Sequence, residues 1–229
     1  MSSSKSRIQV TRDGPYLVSA GVRLLKATIV VDENGVADAW EETEKTKTPE
    51  DCALCRCGAS GNKPFCDGTH TRIRFDGTET AGNVPYERSS QAIRGPTLVL
   101  RDKTELCIGA GFCDKGLGTW ESTKRSGTAA ARELAIRTSG NCPSGRLVCY
   151  EKETGKPIEP AYEQSVALVE DPREGLSGPI WVRGKIPVQS SEGKEYEPRN
   201  RVTLCRCGAS GNKPFCDGTH IDVKFSDGK

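Results

Sequence analysis

The stretch "CRCGASGNKPFCDGTH" occupies residues 55–70 and recurs, letter for letter, at 205–220. With Leu54 and Leu204 in front, seventeen residues are identical, and the chain's two histidines, His70 and His220, close the two copies. Packing alone does not require such fidelity; two copies of one chemical site do. Each copy offers Cys-x-Cys, a third cysteine nine residues on, and a histidine four beyond that. The donor sets are Cys55, Cys57, Cys66, His70 and Cys205, Cys207, Cys216, His220. Three thiolates and one imidazole suit a structural zinc site of the Cys₃His type or a [2Fe–2S] cluster with one histidine ligand. Spacing favours the cluster. Zinc knuckles ordinarily use Cys-x₂₋₄-Cys. The tighter Cys-x-Cys fits two sulfurs on one iron, with Cys66 and His70 on the other. Gly58, Gly61 and Pro64 favour turns, Gly68 permits a sharp bend, and Asp67 is placed to accept backbone N–H groups as an Asx-turn or helix cap.

The repeat extends outward. "GPYLVSAGV" (14–22) is similar to "GPIWVRGKI" (178–186), each a Gly-Pro followed by a short predicted strand. "TRIRF" (71–75) is similar to "IDVKF" (221–225), predicted as strands from their alternating apolar residues. "VVDENGVADAW" (30–40) reads as a hairpin around Asn34-Gly35, and "EETEKTKTPED" (41–51) as a solvated linker. Between the copies, 76–95 reads as a linker and 95–102 as a strand. Residues 128–140 form a predicted helix stopped by Gly140. Residues 146–160 read as a strand and turn, and 165–171 as a further strand. The predicted units are 1–90, 91–172 and 173–229. The fold class is α+β and β-rich.

The repeated stretch resembles the signature of the CDGSH (mitoNEET-like) iron–sulfur domain family, C-x-C-x₂-(S/T)-x₃-P-x-C-D-G-(S/A/T)-H. Ser60, Pro64, Cys66, Asp67, Gly68, Thr69 and His70 fill it, as do Ser210, Pro214, Cys216, Asp217, Gly218, Thr219 and His220. The resemblance implies one [2Fe–2S] cluster per motif, held by three cysteines and the histidine, and two motifs packed about a two-fold axis. Two motifs in one chain then imply an intramolecular pseudo-dimer, and a monomer. The membrane-anchor helix of the outer-membrane members has no counterpart.

Composition bounds the rest. With 33 basic and 31 acidic residues, no global field favours nucleic acid or an acidic membrane. Only 34% of residues are apolar, while Gly numbers 25 and Pro 13, which favours short strands, tight turns and metal staples. Eleven cysteines, an odd count without a leader-like apolar segment, fit a reducing compartment such as the cytoplasm. The longest apolar run, "ATIVV" (27–31), is far too short to cross a membrane.

"CIGAGFC" (107–113) resembles the ferredoxin run C-x₂-C-x₂-C with Ala110 in the middle position, and "NCPSG" (141–145) resembles that family's remote Cys-Pro. The 128–140 helix would carry Cys142 back toward Cys107 and Cys113, making a divergent, single-cluster ferredoxin-like module. Three cysteines can hold a [3Fe–4S] cluster, or a [4Fe–4S] cluster with a non-cysteine fourth ligand; they can equally be relics. Cys149 reads as core and Cys52 as a bystander. Trp40, Trp120 and Trp181 read as packing residues. No nucleotide loop is present, since "GAGFCDKG" carries Asp114 where G-x-G-x-x-G needs glycine. No acid–base pair remains for an enzyme. Three roles follow. The chain is an electron carrier between redox proteins; or a [2Fe–2S] donor to apo-acceptor proteins and redox or pH sensor, its histidine ligands titrating near neutrality; or a structural zinc-binding interaction module.

Overall fold

The computed structural model describes residues 6–19, 21–48 and 52–228. The first part runs β1 (Ile8–Val10), β2 (Tyr16–Val18), β3 (Arg23–Val31), β4 (Ala37–Lys47), β5 (Cys52–Leu54) and the single-turn helix α1 (Thr69–Arg72). The middle follows as α2 (Tyr86–Ser89), β6 (Gln91–Arg94), β7 (Leu98–Asp102), α3 (Thr119–Lys124), α4 (Ala129–Gly140), β8 (Leu147–Glu151) and β9 (Pro157–Ile158). The last part holds β10 (Ser165–Asp171), β11 (Leu176–Arg183), β12 (Val188–Gln189), β13 (Arg201–Leu204) and α5 (Thr219–Asp222). The chain is thus α+β and β-rich, with the repeated units flanking an insert. Among the described residues no helix is long and apolar enough to cross a membrane.

Three sheets form: β12-β1-β2-β5, β13-β11-β10-β3-β4 and β6-β7-β8-β9. The first two are built by strand exchange. After β2, β3 leaves its own hairpin and pairs in parallel with β10. After β11, β12 leaves in the same way and pairs in parallel with β1. Each half therefore completes the other's sheet. Alternation along the strands sends Ile8, Val10, Tyr16 and Leu24 into one core with Val166, Leu168, Ile180, Val182 and Leu204. The halves meet again at the repeated loops. A Cβ on Gly58 would lie 2.5 Å from the Cys207 carbonyl oxygen, and one on Gly208 would lie 2.6 Å from that of Cys57. Glycine at these positions, at φ of 76° and 82°, lets the two backbones touch reciprocally. The exchanged strands and reciprocal contact describe a pseudo-two-fold within one chain.

The insert has its own small core of Leu98, Leu100, Ala135, Leu147 and Cys149 beneath α4. Thr128 caps α4, its hydroxyl accepting the Ala131 N–H at 3.4 Å. The insert docks through Ile108, Ala110 and Phe112, which pack with Ile29, Ala37 and Cys216, against Trp40. Trp40 bridges onward, its ring 4.8 Å from Phe112 and 5.0 Å from Trp181.

Several local expectations change. "TRIRF" and "IDVKF" are not strands. Gly68 and Gly218, at φ of 86° and 95°, reverse the chain, and α1 and α5 follow. One helical turn lets the histidine approach the cysteine four residues before it; the apolar alternation splits, with Ile73 exposed and Phe75 half-buried. Residues 41–47 of the expected linker continue β4, because their backbone pairs with β3; residues 49–51 lie outside the described residues. Gly140 sits inside α4 and Asn141 caps it. Strand β10, read above as part of the insert, hydrogen-bonds to β11 and β3 in the second sheet. The hairpin at Asn34-Gly35 forms, with the Asp32 carboxylate accepting the Asn34 and Val36 N–H groups.

Candidate metal centre

The first repeated loop begins where β5 ends. Leu54 bridges to Phe65, Cys55 N–H donates to the Pro64 carbonyl at 2.7 Å, and Cys66 N–H donates to that of Ala53 at 2.8 Å. This clamp holds the first and third cysteines side by side. The Ser60 hydroxyl donates to the Phe65 carbonyl at 2.7 Å. Asp67 accepts the Thr69 N–H at 3.0 Å and the Gly61 N–H at 2.8 Å, an Asx-turn that also ties the loop across. Those bonds, from Thr69 first, hold its carboxyl well below the usual range. The Cys55 and Cys57 sulfurs are 3.8 Å apart, and Cys66 Sγ lies 3.3 Å from His70 Nδ1. The second loop repeats this: Cys205 N–H to Pro214 at 2.8 Å, Cys216 N–H to Thr203 at 2.9 Å, sulfurs 3.8 Å apart, and Cys216 Sγ 3.4 Å from His220 Nδ1.

In the insert, a cavity of about 240 Å³ is lined by Cys107, Cys113 and Cys142 together with Phe112, Trp120 and Arg146. Cys107 and Cys113 border a short loop, and α4 returns the chain so that Cys142 joins them. Arg146 is held bidentately by Asp102, at 2.7 and 3.0 Å, and lies over the Trp120 ring. Burial pushes the Cys113 thiol up to about 12. The cavity adjoins the second loop: a Cβ on Gly218 would lie 2.9 Å from the Cys107 carbonyl oxygen. All eleven cysteines are unbridged.

The family described as iron-binding zinc finger, CDGSH type, matches residues 13–71 and 177–221. Both end segments belong to the CDGSH family. The insert matches the divergent 4Fe-4S mono-cluster family over residues 93–152. The chain is an iron–sulfur protein. No curated protein and no solved structure matches it.

The CDGSH loops suit a cluster in donor chemistry and in what they leave unsatisfied. Metal–sulfur bonds of roughly 2.3 Å at tetrahedral angles set sulfur–sulfur edges of about 3.8 Å, the spacing within each Cys-x-Cys pair. The donors of each loop stand as two pairs. Among the described residues, no three Cys, His, Asp or Glu side chains converge as on a single ion. Between the paired cysteines sit Arg56 and Arg206, fully buried, with Arg56 Nε and Arg206 Nε and Nη1 lacking hydrogen-bond partners. Buried N–H groups without acceptors are costly, and a negatively charged cluster held by the neighbouring cysteines would offset that buried positive charge. Without metal the thiols share protons. The contact with Cys207 lowers the Cys205 pKa, and that contact together with burial raises that of Cys207. Loading must therefore expel protons.

All eleven residues singled out from the sequence fall into three groups: the two CDGSH sets and the insert's cavity. Sequence reasoning missed Arg56, Arg206 and Arg146. The recurrence of arginine between the cysteines of both copies was the available signal. It also missed that the insert covers the second loop. Cys216 and His220 are 1% and 6% exposed, whereas Cys66 and His70 are half-buried. Tyr16 crosses from the first half, its hydroxyl donating to the carbonyls of Cys205 and Pro214 at 2.9 and 3.1 Å.

Proposed function

We propose that this chain is an electron-transfer protein whose CDGSH loops each hold one [2Fe–2S] cluster. Cys55, Cys57, Cys66 and His70 hold the first, and Cys205, Cys207, Cys216 and His220 the second. When bound, such a cluster takes up and returns single electrons. The observation that carries the reading is the division of each donor set into a Cys-x-Cys pair and a Cys–His pair, as two irons need and one zinc does not. The chain's own part is to fix those pairs through the Leu54–Phe65 and Leu204–Phe215 bridges and to orient the histidine on one helical turn. One histidine in place of a thiolate leaves the site one negative charge lighter, which favours taking an electron.

The insert's cavity, with three thiols and apolar walls, supports a third cluster held by Cys107, Cys113 and Cys142, of the [3Fe–4S] type or a [4Fe–4S] type with a non-cysteine fourth ligand. The partners are redox proteins, and the chain itself catalyses no reaction.

Anaerobic purification with iron, sulfide and zinc quantitation, combined with EPR of the reduced protein, tests this. About seven or eight irons per chain, with two [2Fe–2S] signals that form reversibly on reduction, is the expected result; about four irons would leave the insert without a cluster, and a colourless protein loaded with zinc would defeat the whole reading. Release of intact clusters to an apo-ferredoxin, without reversible reduction, would instead assign the chain as a cluster donor.

A further inference from the structure

The two CDGSH loops are identical in sequence, so any difference between the sites comes from what surrounds them. The surroundings differ most at the residue between the paired cysteines. Among the described residues Arg56 donates only to backbone: Nη1 to the Thr11 carbonyl at 2.8 Å and Nη2 to that of Gly77. Arg206 donates Nη2 to two carboxylates, Glu170 at 3.1 Å and Asp227 at 2.6 Å. Each guanidinium group lies against a corresponding ring, 5.5 Å from the Phe75 centre and 5.4 Å from that of Phe225, and Arg56 lies also 5.7 Å from the Tyr16 ring centre.

One substitution in the repeat accounts for most of this. At the offset of the two loops, Gly77 corresponds to Asp227. A Cβ on Gly77 would lie 2.9 Å from Arg56 Nη1, so the first copy keeps room for the guanidinium against bare backbone. The strand ends differ as well: Val10 pairs with Tyr16 as Leu168 pairs with Ile180, but a register shift between Leu168 and Glu170 adds Val169, so the Glu170 carboxylate meets the arginine on the second side where the Thr11 carbonyl meets it on the first. Carboxylates exist on the first side as well. Asp13 accepts the Gly77 N–H at 2.9 Å and Asp76 accepts that of Thr78 at 3.0 Å, but both residues are exposed, where water and salt screen them.

The first loop thus holds one buried positive charge. The second holds the same charge outweighed by the buried Asp227 and the largely buried Glu170. Adding an electron makes either site more negative. A buried cation favours that step and buried carboxylates oppose it, more strongly than exposed groups would. Burial of Cys216 and His220 beneath the insert opposes it further, since negative charge is costly away from water. We infer that the two CDGSH sites, equal in ligands, are graded in reduction potential, the first higher and the second lower, with Asp227 and Glu170 holding the second down. This rests on the [2Fe–2S] reading above. The consequence for function is directional: the electron resides at the first loop, whose histidine reaches the surface, and a partner meets it there.

The test is a redox titration of the loaded chain, each site taking one electron from dithionite, which is oxidised, with the [2Fe–2S] signals followed by EPR and visible absorbance. Two separate midpoints are expected. His70→Cys and His220→Cys serve as labels, the first shifting only the upper midpoint and the second only the lower. Asp227→Asn raises the lower midpoint alone, and Arg56→Gln lowers the upper alone. Should Asp227→Asn fail to fold, Glu170→Gln, at the less buried edge of the network, raises the same midpoint. A single shared midpoint, reversed labels, or a lower midpoint that Asp227→Asn and Glu170→Gln leave in place would overturn the grading. A chain without [2Fe–2S] signals would defeat the loading itself, a distinct failure read from metal content.

Discussion

The loop at 55–70 and the loop at 205–220 have one sequence and one internal geometry, yet they occupy unlike environments. Sulfur–sulfur and sulfur–nitrogen spacings agree within 0.1 Å between the copies, at 3.8 and 3.8 Å and at 3.3 and 3.4 Å. The first copy opens toward solvent at His70; the second is roofed by Ile108, Ala110 and Phe112 of the insert. Donor placement is therefore local, written into sixteen residues by strand clamp, Asx-turn and single-turn helix. Exposure and buried charge are tertiary, set by residues far away in the chain. The two copies keep one donor geometry, and the sequence around them makes their settings different.

The comparison can be broken at its axis. Gly58→Val places a branched side chain on the Cys207 carbonyl, at a positive φ that valine resists, and Gly208→Val does the same in mirror fashion. Each should cost at least about 3 kcal/mol and impair both sites together, measured by denaturant unfolding and by metal retention. Equal damage from the two variants supports the pseudo-two-fold; damage confined to one loop would not.

Phe112→Ala should separate the copies. It removes a buried ring from the roof of the second loop, costing about 3–5 kcal/mol of stability. Chelator-driven metal loss should then quicken at the second loop and stay unchanged at the first. A uniform acceleration would mean that the insert supports the whole molecule rather than one site.

Access gives a smaller contrast. In the metal-free protein, diethylpyrocarbonate should modify half-buried His70 several-fold faster than His220, which is 6% exposed, as mass spectrometry of the two peptides would read. Burial also lowers the pKa of His220.

The smallest effect lies at the clamp between insert and hairpin. Lys115 bridges Asp32 and Asp38 at 2.7 and 2.8 Å. The Lys115 ammonium, with the Val36 and Asn34 N–H groups, holds the Asp32 carboxyl below its ordinary range. A depressed folded-state pKa contributes stability above the unfolded value and loses it as pH falls through the folded one. Asp32→Asn should thus destabilise slightly at pH 7, and the gap from the parent chain should close as pH falls below about 4. Thermal unfolding at several pH values checks this.

That these cysteines and histidines come together was legible in the sequence, because their grouping depends on close spacing and local turns, both visible in a string. The hairpin at Asn34-Gly35 and helix α4 were legible for the same local reason. The strand exchange was not, since nothing in the local sequence of β3 or β12 names a pairing partner, and those partners lie across the chain. Nor were α1 and α5, where a glycine at positive φ outweighed an alternating apolar pattern. The Gly77–Asp227 difference stood in the open, but its meaning required knowing that both positions meet a buried arginine.

The measurement closest to the central claim is the metal and sulfide content of the anaerobically purified protein with Cys107, Cys113 and Cys142 replaced by serine. The account predicts about four irons and about four acid-labile sulfides per chain, visible colour, and [2Fe–2S] EPR signals on reduction. Zinc in place of iron, at about one ion per CDGSH loop and without colour, would contradict it.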